Sequence, residues 1–118
     1  MRVSIGRALE LTQLPRREEI GAYDWFDIEF SGTQVGKARC RLEADRLTIF
    51  SIMIYPEFER RGFARAVIDH FKEESDYIIA DRVRCTAREF WLKLGFVAEG
   101  KDCFAWRRSR IDWAKKSN

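Results

Sequence analysis

The sequence of 118 residues has few of the residues from which metal sites and disulfide frameworks are built. Its three cysteines, Cys40, Cys85 and Cys103, are odd in number and far apart, and His70 is its one histidine. Neither a Cys-x-x-Cys spacing nor a pair of histidines occurs. The sequence therefore excludes a multi-histidine metal site and predicts neither a disulfide framework nor a bound zinc ion.

Long apolar runs, internal repeats, low-complexity tracts and proline-rich linkers are also missing. No run approaches the length that crosses a bilayer, and the first residues, Met1–Arg7, lack the apolar core of a secretory signal. We therefore expect a cytoplasmic protein with no membrane partner. With 46% hydrophobic and 35% charged residues, the chain has the composition of one globular domain spanning residues 1–118.

The net charge of +3 is too small to indicate a nucleic-acid binder by itself, but the basic residues are clustered. One cluster is formed by Arg60, Arg61 and Arg65, a second lies within residues 82–88, and a third within Arg107–Asn118. Solvated surface charge is the simplest interpretation of each cluster. The first two flank the starts of predicted helices and favour a polyanionic ligand. The third contains a tryptophan between basic residues, which can stack on bases, so nucleic acid is kept as the least favoured partner.

Period-2 alternation predicts a β-hairpin after residue 23, with its turn at Ser31-Gly32-Thr33. A three-residue turn would set Asp27 opposite Lys37 and Trp25 opposite Arg39. Because the charged residues of both runs share one face, we expect cross-strand ion pairing and cation–π contact on a solvated surface.

The rest of the chain is predicted from periodicity in the same way. Residues 1–10 are expected to form a first strand, followed by an irregular or helical piece. The almost uninterrupted apolar run Leu47–Tyr55 predicts a strand buried on both faces at the centre of a sheet. Apolar residues at helical spacing predict a helix over residues 61–74, and a second amphipathic helix is predicted to end before Gly95 as its C′ residue. A short strand over Tyr77–Ala80 and a closing hairpin over residues 96–106 complete a mixed α/β layer.

Two segments carry the functional signal. Residues 52–65 (IMIYPEFERRGFAR) form an apolar strand that runs into an arginine–glycine turn and then a helix. Such a turn directs unpaired backbone N–H groups at one point, and the helix dipole and arginines make that point attractive to phosphate. The second segment, residues 87–96, reads AREFWLKLGF.

In this order, and about two dozen residues apart, the two segments resemble the GNAT acyltransferase superfamily. The family pattern is roughly Val-x-Pro-x-x-[Arg/Gln]-x-x-Gly-x-[Gly/Ala] followed by Ala-x-x-Phe-Tyr-x-Lys-Leu-Gly-Phe. The resemblance implies an α/β fold in which a mixed, mainly antiparallel sheet is flanked by two main helices. It also implies that residues 1–118 form a single acyl-CoA-binding domain, with acetyl-CoA as co-substrate.

The resemblance assigns the cofactor contacts to particular positions. The strand edge would offer backbone groups to the pantetheine arm, the glycine turn would hold the pyrophosphate, and two aromatic residues would pack near the thioester. The implied cofactor-binding residues are Ile52, Met53, Ile54, Arg60, Arg61, Gly62, Phe63, Ala64, Arg65, Phe90 and Trp91.

The chain departs from the family where catalysis is concerned, so its catalytic residues are not identified. Glu59 replaces the Gln or Arg before the turn, and Trp91 replaces the tyrosine that commonly protonates the departing thiolate. Thr48 and Phe50 stand where a glutamate base is often found. Substitutes for these missing groups are to be sought among Glu43, Asp45, Asp81, Cys85 and Thr86.

The family usually places two helices between the first strand and the hairpin, where they form much of the acceptor pocket. Only about a dozen residues, Leu11–Ala22, fill that gap here. An open acceptor side suits a protein terminus, a lysine or another large acceptor, or a homodimer that completes the pocket. The predicted function is acetyl transfer from acetyl-CoA to a primary amine. The alternative is a non-catalytic CoA-binding or partner-binding module that has lost its acid and base groups.

Overall fold

The structure is a computed structural model that describes residues 2–6, 8–14, 24–43 and 46–108. These residues form a single eight-stranded sheet with the strand order β1-β2-β3-β4-β5-β6-β8-β7. Only β5 and β6 are parallel, and the other neighbours are antiparallel. The predicted mixed, mainly antiparallel sheet with two helices is confirmed. The elements are β1 (Arg2–Gly6), β2 (Leu9–Gln13), β3 (Asp24–Phe30), β4 (Thr33–Glu43), β5 (Arg46–Ile54), α1 (Phe63–Glu74), β6 (Tyr77–Ala80), α2 (Arg88–Lys93), β7 (Val97–Ala98) and β8 (Phe104–Arg107), with 3₁₀ turns at Pro56–Phe58 and Cys85–Ala87.

The N-terminal residues form a hairpin rather than the single strand predicted over residues 1–10. The chain reverses at Ala8, whose φ of 60° lies in the left-handed region, and β1 then pairs antiparallel with β2. Alanine gives no warning of such a conformation, which is why the sequence pattern did not reveal the turn. The irregular or helical piece predicted next falls on residues 15–23, outside the described residues.

The register predicted for the central hairpin is confirmed. Trp25 pairs with Arg39 and Asp27 pairs with Lys37 across β3 and β4. The Lys37 Nζ and the Arg39 Cζ lie 5.6 and 5.5 Å from the centroid of the Trp25 ring, so the expected cation–π contacts form. The expected ion pair between Asp27 and Lys37 was wrong, because the Asp27 carboxylate accepts a hydrogen bond from Gln34 Nε2 at 2.9 Å.

Both helices cover the same face of the sheet. Phe104 and Trp106 on β8 share a face, and their rings are contacted by Arg88 of α2 and Lys72 of α1 at 5.2 Å each. Apolar side chains on this face make one core with the inner sides of the helices; its fully buried members include Ile28, Ile49, Val67, Ile68, Ile78, Phe96 and Phe104. In the described part of the chain, no helix lies on the opposite face, which carries Trp25, Arg39 and their neighbours.

The second helix ends as predicted. Gly95 has a φ of 87°, its N–H donates to the Leu92 carbonyl at 3.0 Å, and the Phe96 N–H donates to the Trp91 carbonyl at 3.1 Å. This pair of bonds is the Schellman arrangement, in which a left-handed residue lets the chain turn back and satisfy the last carbonyls. The Lys72 ammonium donates to the Leu94 carbonyl, which links the end of α2 to α1.

Gly36 on β4 is a place where the sheet tolerates no side chain. A Cβ added there would overlap the Met53 carbonyl oxygen and lie 3.0 Å from the Ile54 Cα on β5. We expect Gly36→Ala to lower the free energy of unfolding by about 1–3 kcal/mol, because the backbone of β5 must move. Urea unfolding followed by circular dichroism measures the change.

Gly6→Ala is the matched control for this substitution. Its added Cβ would meet only Leu9 Cβ, at 3.9 Å, which is ordinary contact. Its stability should stay within about 0.5 kcal/mol of the parent. Equal stabilities for the two variants would show that β4 and β5 are not packed as closely as described.

Candidate active site

A cleft of about 970 Å³ opens where β5 and β6 separate. Its origin is one extra residue in β5: Arg39 pairs with Ser51 and Cys40 with Ile49, so Phe50 is left without a partner on β4. This β-bulge bends the strand away from its parallel neighbour. The β5–β6 pairing ends at Ile49, whose carbonyl accepts a last bond from the Asp81 N–H at 3.0 Å. Beyond that bond, no described strand pairs with this edge of β5.

The turn between β5 and α1 presents backbone N–H groups to this cleft. Arg60 and Gly62 have φ angles of 63° and 82°, and the first helical bond is made by the Ala66 N–H to the Gly62 carbonyl. Within the described residues, the N–H groups from Arg60 to Arg65 donate to no protein acceptor, and Gly62 supplies no side-chain cap. A group of free amides at the positive end of a twelve-residue helix is suited to an anion.

The charge of the cleft wall agrees with that geometry. Two of its side chains, Glu59 and Asp81, are acidic. Its basic side chains come from β4, from the turn and start of α1, and from the segment after β6; they are Arg39, Arg60, Arg65, Arg82 and Arg84. The excess of cations favours a ligand with several negative charges.

Ten of the eleven residues predicted to hold the cofactor line this one cleft. They are Ile52, Met53, Ile54, Arg60, Gly62, Phe63, Ala64, Arg65, Phe90 and Trp91. The eleventh, Arg61, does not line it, because its guanidinium stacks 5.5 Å from the Phe30 ring and 5.1 Å from the Phe63 ring. The helix also begins at Phe63 and not at Arg61 as predicted. The two left-handed residues before it cannot belong to a right-handed helix.

Trp91 belongs as much to the core as to the cleft. It is 5% exposed, and its ring makes edge contacts with Phe90 at 5.1 Å and with Phe96 at 4.9 Å. Its indole N–H is not a useful proton donor at neutral pH. The second helix therefore supplies an apolar wall at this end of the cleft.

Of the groups considered as catalytic substitutes, only some line the cleft. Asp81 and Thr86 line the cleft, whereas Glu43 and Cys85 do not, and Asp45 lies outside the described residues. Asp81 follows the last paired residue of β6, and its carboxylate accepts a bond from the Arg82 N–H at 3.0 Å.

Two features of the wall were missed from the sequence. The bulge at Phe50 leaves no trace in an almost continuous apolar run, and Arg39 was interpreted only as a solvated residue of the hairpin. The alternation in β4 gave the face of Arg39 correctly. What it could not give was the distance from that face to the cleft.

The three cysteines differ in their expected reactivity. Burial, assisted by the charge of Asp24, raises the pKa of the Cys40 thiol to about 12. Partial burial and the charges of Asp81 and Glu99 also raise the pKa of Cys103. Cys85 is exposed at the start of a 3₁₀ turn. In the part of the chain that the structure describes, no three His, Cys, Asp or Glu side chains are grouped to hold a metal ion.

Comparisons with known proteins identify the family of the chain. A family model described as the acetyltransferase (GNAT) family matches residues 6–96, which is most of the chain. The chain belongs to this family. A search of curated proteins found no significant match. Neither helix within the described ranges has the length and apolar character needed to cross a membrane.

The fold is similar to several solved structures. The Bacillus subtilis N-acetyltransferase YlbP, in complex with coenzyme A, superposes with a TM-score of 0.59 and 22% identity over 70% of this chain and 66% of that one. The Escherichia coli ribosomal-protein-S18-alanine N-acetyltransferase gives 0.57 and 18% over 80% and 77%. Arabidopsis thaliana Naa50, in complex with the bisubstrate analogue CoA-Ac-MVNAL, gives 0.54 and 17% over 69% and 69%.

The thiol environments predict an order of alkylation. Thiolate is the reactive form, and a raised pKa lowers the thiolate fraction at every pH below it. We expect iodoacetamide at about pH 8 to label Cys85 first and Cys103 more slowly, with Cys40 labelled only after unfolding. Peptide mass spectrometry follows each site.

Cys85 was considered above as a catalytic substitute, and an exposed thiol near a helix start could act as an acid or carry the acyl group. Because Cys85 lies off the cleft wall, Cys85→Ser should release CoA at the parent rate with any acceptor that the parent uses. If Cys85→Ser lost turnover while still binding acetyl-CoA, Cys85 would take part in the reaction.

Proposed function

We propose that this protein is an acetyl-CoA-dependent N-acetyltransferase that transfers the acetyl group to the primary amine of a large acceptor, such as a peptide or protein. The observation that carries the proposal is the turn before α1, where the amides from Arg60 to Arg65 have no acceptor in the described protein. The diphosphate of CoA would accept these N–H groups. Membership of the acetyltransferase family supports the same donor.

The unpaired edge of β5 accounts for the remainder of the donor. Ile52, Met53 and Ile54 line the cleft beyond the bulge. They pair with β4 on one side, and no described strand pairs with them on the other. The pantetheine arm contains two amides and can pair with such an edge as an added strand does. A CoA molecule bound in this way would place its thioester near Phe50 and Asp81, at the point where the strands part.

The acceptor side is inferred from the uncovered face of the sheet. Within the described residues, no helix lies over Trp25, Arg39 or Phe50, so the amine can approach the thioester while attached to a large molecule. Similar folds include an enzyme named for an alanine of a ribosomal protein and one bound to a peptide-linked analogue. Both support a polypeptide acceptor for this chain.

Direct transfer requires that the attacking amine lose a proton and that the CoA sulfur leave as a thiolate or thiol. Asp81 is the carboxylate at the fork of the strands, so we infer that it accepts the proton, directly or through water. A thiolate is a good enough leaving group to depart with hydrogen bonding and proximity alone. Trp91 would then shape the site and take no part in proton transfer.

Gly62 provides the test of the phosphate site. No atom lies within 4 Å of a Cβ added there, so a side chain has room, although the positive φ costs about 1 kcal/mol for any other residue. We expect Gly62→Glu to weaken acetyl-CoA binding at least about tenfold, because a carboxylate would enter the anion site. Isothermal calorimetry measures the dissociation constant.

Gly62→Ala is the control, since it carries the same backbone strain without the charge. It should be about as stable as Gly62→Glu and bind acetyl-CoA much more tightly. Equal affinities for the two variants would place the diphosphate elsewhere. No binding to the folded parent protein at millimolar acetyl-CoA would remove the proposal itself.

Asp81→Asn tests the inferred base. The amide keeps the oxygen that accepts the Arg82 N–H but cannot take up a proton at neutral pH. We expect the turnover number to fall about 10²-fold or more with unchanged acetyl-CoA affinity. CoA release against a panel of peptides with free amino groups gives the rates.

Asp102→Asn is the matched control, because Asp102 is exposed and does not line the cleft. Equal rates for the two variants would assign the proton to another group. Tight acetyl-CoA binding without turnover on any amine, in the parent as well, would favour the alternative of a non-catalytic CoA-binding module.

A further inference from the structure

The helix-free face of the sheet carries a row of cations that the donor site does not explain. Lys37, Arg39 and Arg41 follow one another on this face of β4, and Arg46 extends the row onto β5. We call these four residues the cationic strip. Side chains on this face are at least partly accessible: those of Arg41 and Arg46 are 41% and 43% exposed.

Aromatic rings hold the strip in place. The Trp25 ring lies between Lys37 and Arg39, at 5.6 and 5.5 Å from their charged groups. The Phe50 ring lies between Arg39 and Arg41, at 5.8 and 5.3 Å. Stacking on a ring restricts a long basic side chain without neutralising its charge. The cations are thus partly ordered before any ligand arrives.

The strip keeps a positive charge after its acidic neighbours are considered. Glu43 is shared, with Arg41 Nε at 3.3 Å and Arg46 Nη2 at 3.4 Å from one carboxylate oxygen. On the next strand, β3, Asp27 accepts from Gln34 Nε2 at 2.9 Å, and Glu29 accepts from Thr12 Oγ1 at 2.8 Å. Hydrogen bonds from neutral groups leave Asp27 and Glu29 charged, and Asp27 lies opposite Lys37. In the described part of the sheet, the four cations of the strip still outnumber these three carboxylates, so this part of the face attracts anions.

The strip reaches the cleft at its middle. Arg39 and Phe50 belong both to the row of stacked side chains and to the cleft wall, at the bulge where β5 leaves β6. If the amine of a peptide acceptor reaches the cleft at this bulge, the residues next to the amine lie over the strip. Lysine-rich segments and polyamines would be repelled there, whereas carboxylates would be attracted.

We propose that the cationic strip binds an acidic peptide segment adjoining the acceptor amine, so that the preferred acceptor is an amine followed by Asp or Glu residues. This inference rests on the proposed function and adds the acceptor class to it. Guanidinium groups form charge-assisted, often bidentate bonds with carboxylates, and the stacked arrangement of Arg39 and Arg41 leaves less side-chain entropy to be lost.

Three fluorescent peptides of equal length test the proposal. Each begins with a free amino-terminal alanine, followed by three Glu, three Gln or three Lys residues, and each is titrated against the full chain saturated with CoA. Fluorescence anisotropy should show the Glu peptide binding at least about tenfold more tightly than the Gln peptide, with the Lys peptide weakest. The difference should shrink at high salt, because exposed charges are screened.

Arg41→Gln separates the strip from the donor site. Arg41 does not line the cleft, so acetyl-CoA binding should remain at the parent value while the Glu peptide weakens severalfold. In turnover assays the change should appear in KM and not in kcat. Arg2→Gln is the matched control, since Arg2 lies on the same face but on β1, three strands from β4, and should leave both measurements unchanged.

The results of the peptide experiments can be distinguished from those that test acetyl-CoA binding. Loss of acetyl-CoA binding concerns the proposed function, whereas normal acetyl-CoA binding with equal affinity for the Glu and Gln peptides overturns the acidic acceptor alone. The inference would also be overturned if Arg41→Gln and Arg2→Gln had the same effect on the Glu peptide. A dimer in sedimentation that excludes every peptide would show that a second copy covers the strip, and would equally overturn it.

Discussion

The chain places one residue more on β5 than the pairing with β4 can accommodate, and the site follows from that mismatch. With Phe50 bulged, β5 bends away from β6 after Ile49. The separation leaves one edge of β5 without a partner among the described strands and makes room for the cleft. The same bend directs β5 into the turn at Arg60–Gly62, where left-handed backbone aims the first amides of α1 at the same space. The strand edge and the helix terminus therefore face one cleft, because a single irregularity orients both.

Much of this arrangement could be predicted from local patterns. The hairpin register and the end of α2 at Gly95 depend on interactions between near neighbours, and both were predicted correctly. The central strand was predicted at the right position but not with the right burial: only Leu47 and Ile49 of β5 are buried, and Met53 is 50% exposed, because no described helix covers the second face. Glycine at a position that requires positive φ is a strong local signal. For the same reason, the left-handed turn at Gly62 could be located from its residues before its geometry was known.

The features that could not be predicted depend on backbone conformations that are unusual for the residue types that adopt them. Ala8 and Arg60 both adopt positive φ although neither residue favours it, so the first hairpin and the start of α1 were misplaced. The bulge arises from a difference in length between two paired strands, which no single strand pattern contains. Arg39 joins the cleft because of that bulge, and its interpretation as a purely solvated residue failed with it.

The two parts of the sheet are joined by few main-chain contacts. Four residue pairs connect β5 to β6, from Arg46–Tyr77 to Ile49–Ala80, and among the described strands this is the only parallel ladder. A long ligand lying between the separated ends of β5 and β6 would contact both strands and hold them together. By mass action, a ligand that binds only the folded state would raise the free energy of unfolding by about 2.7 kcal/mol at a concentration one hundred times its dissociation constant. The donor would then help to complete the architecture that receives it.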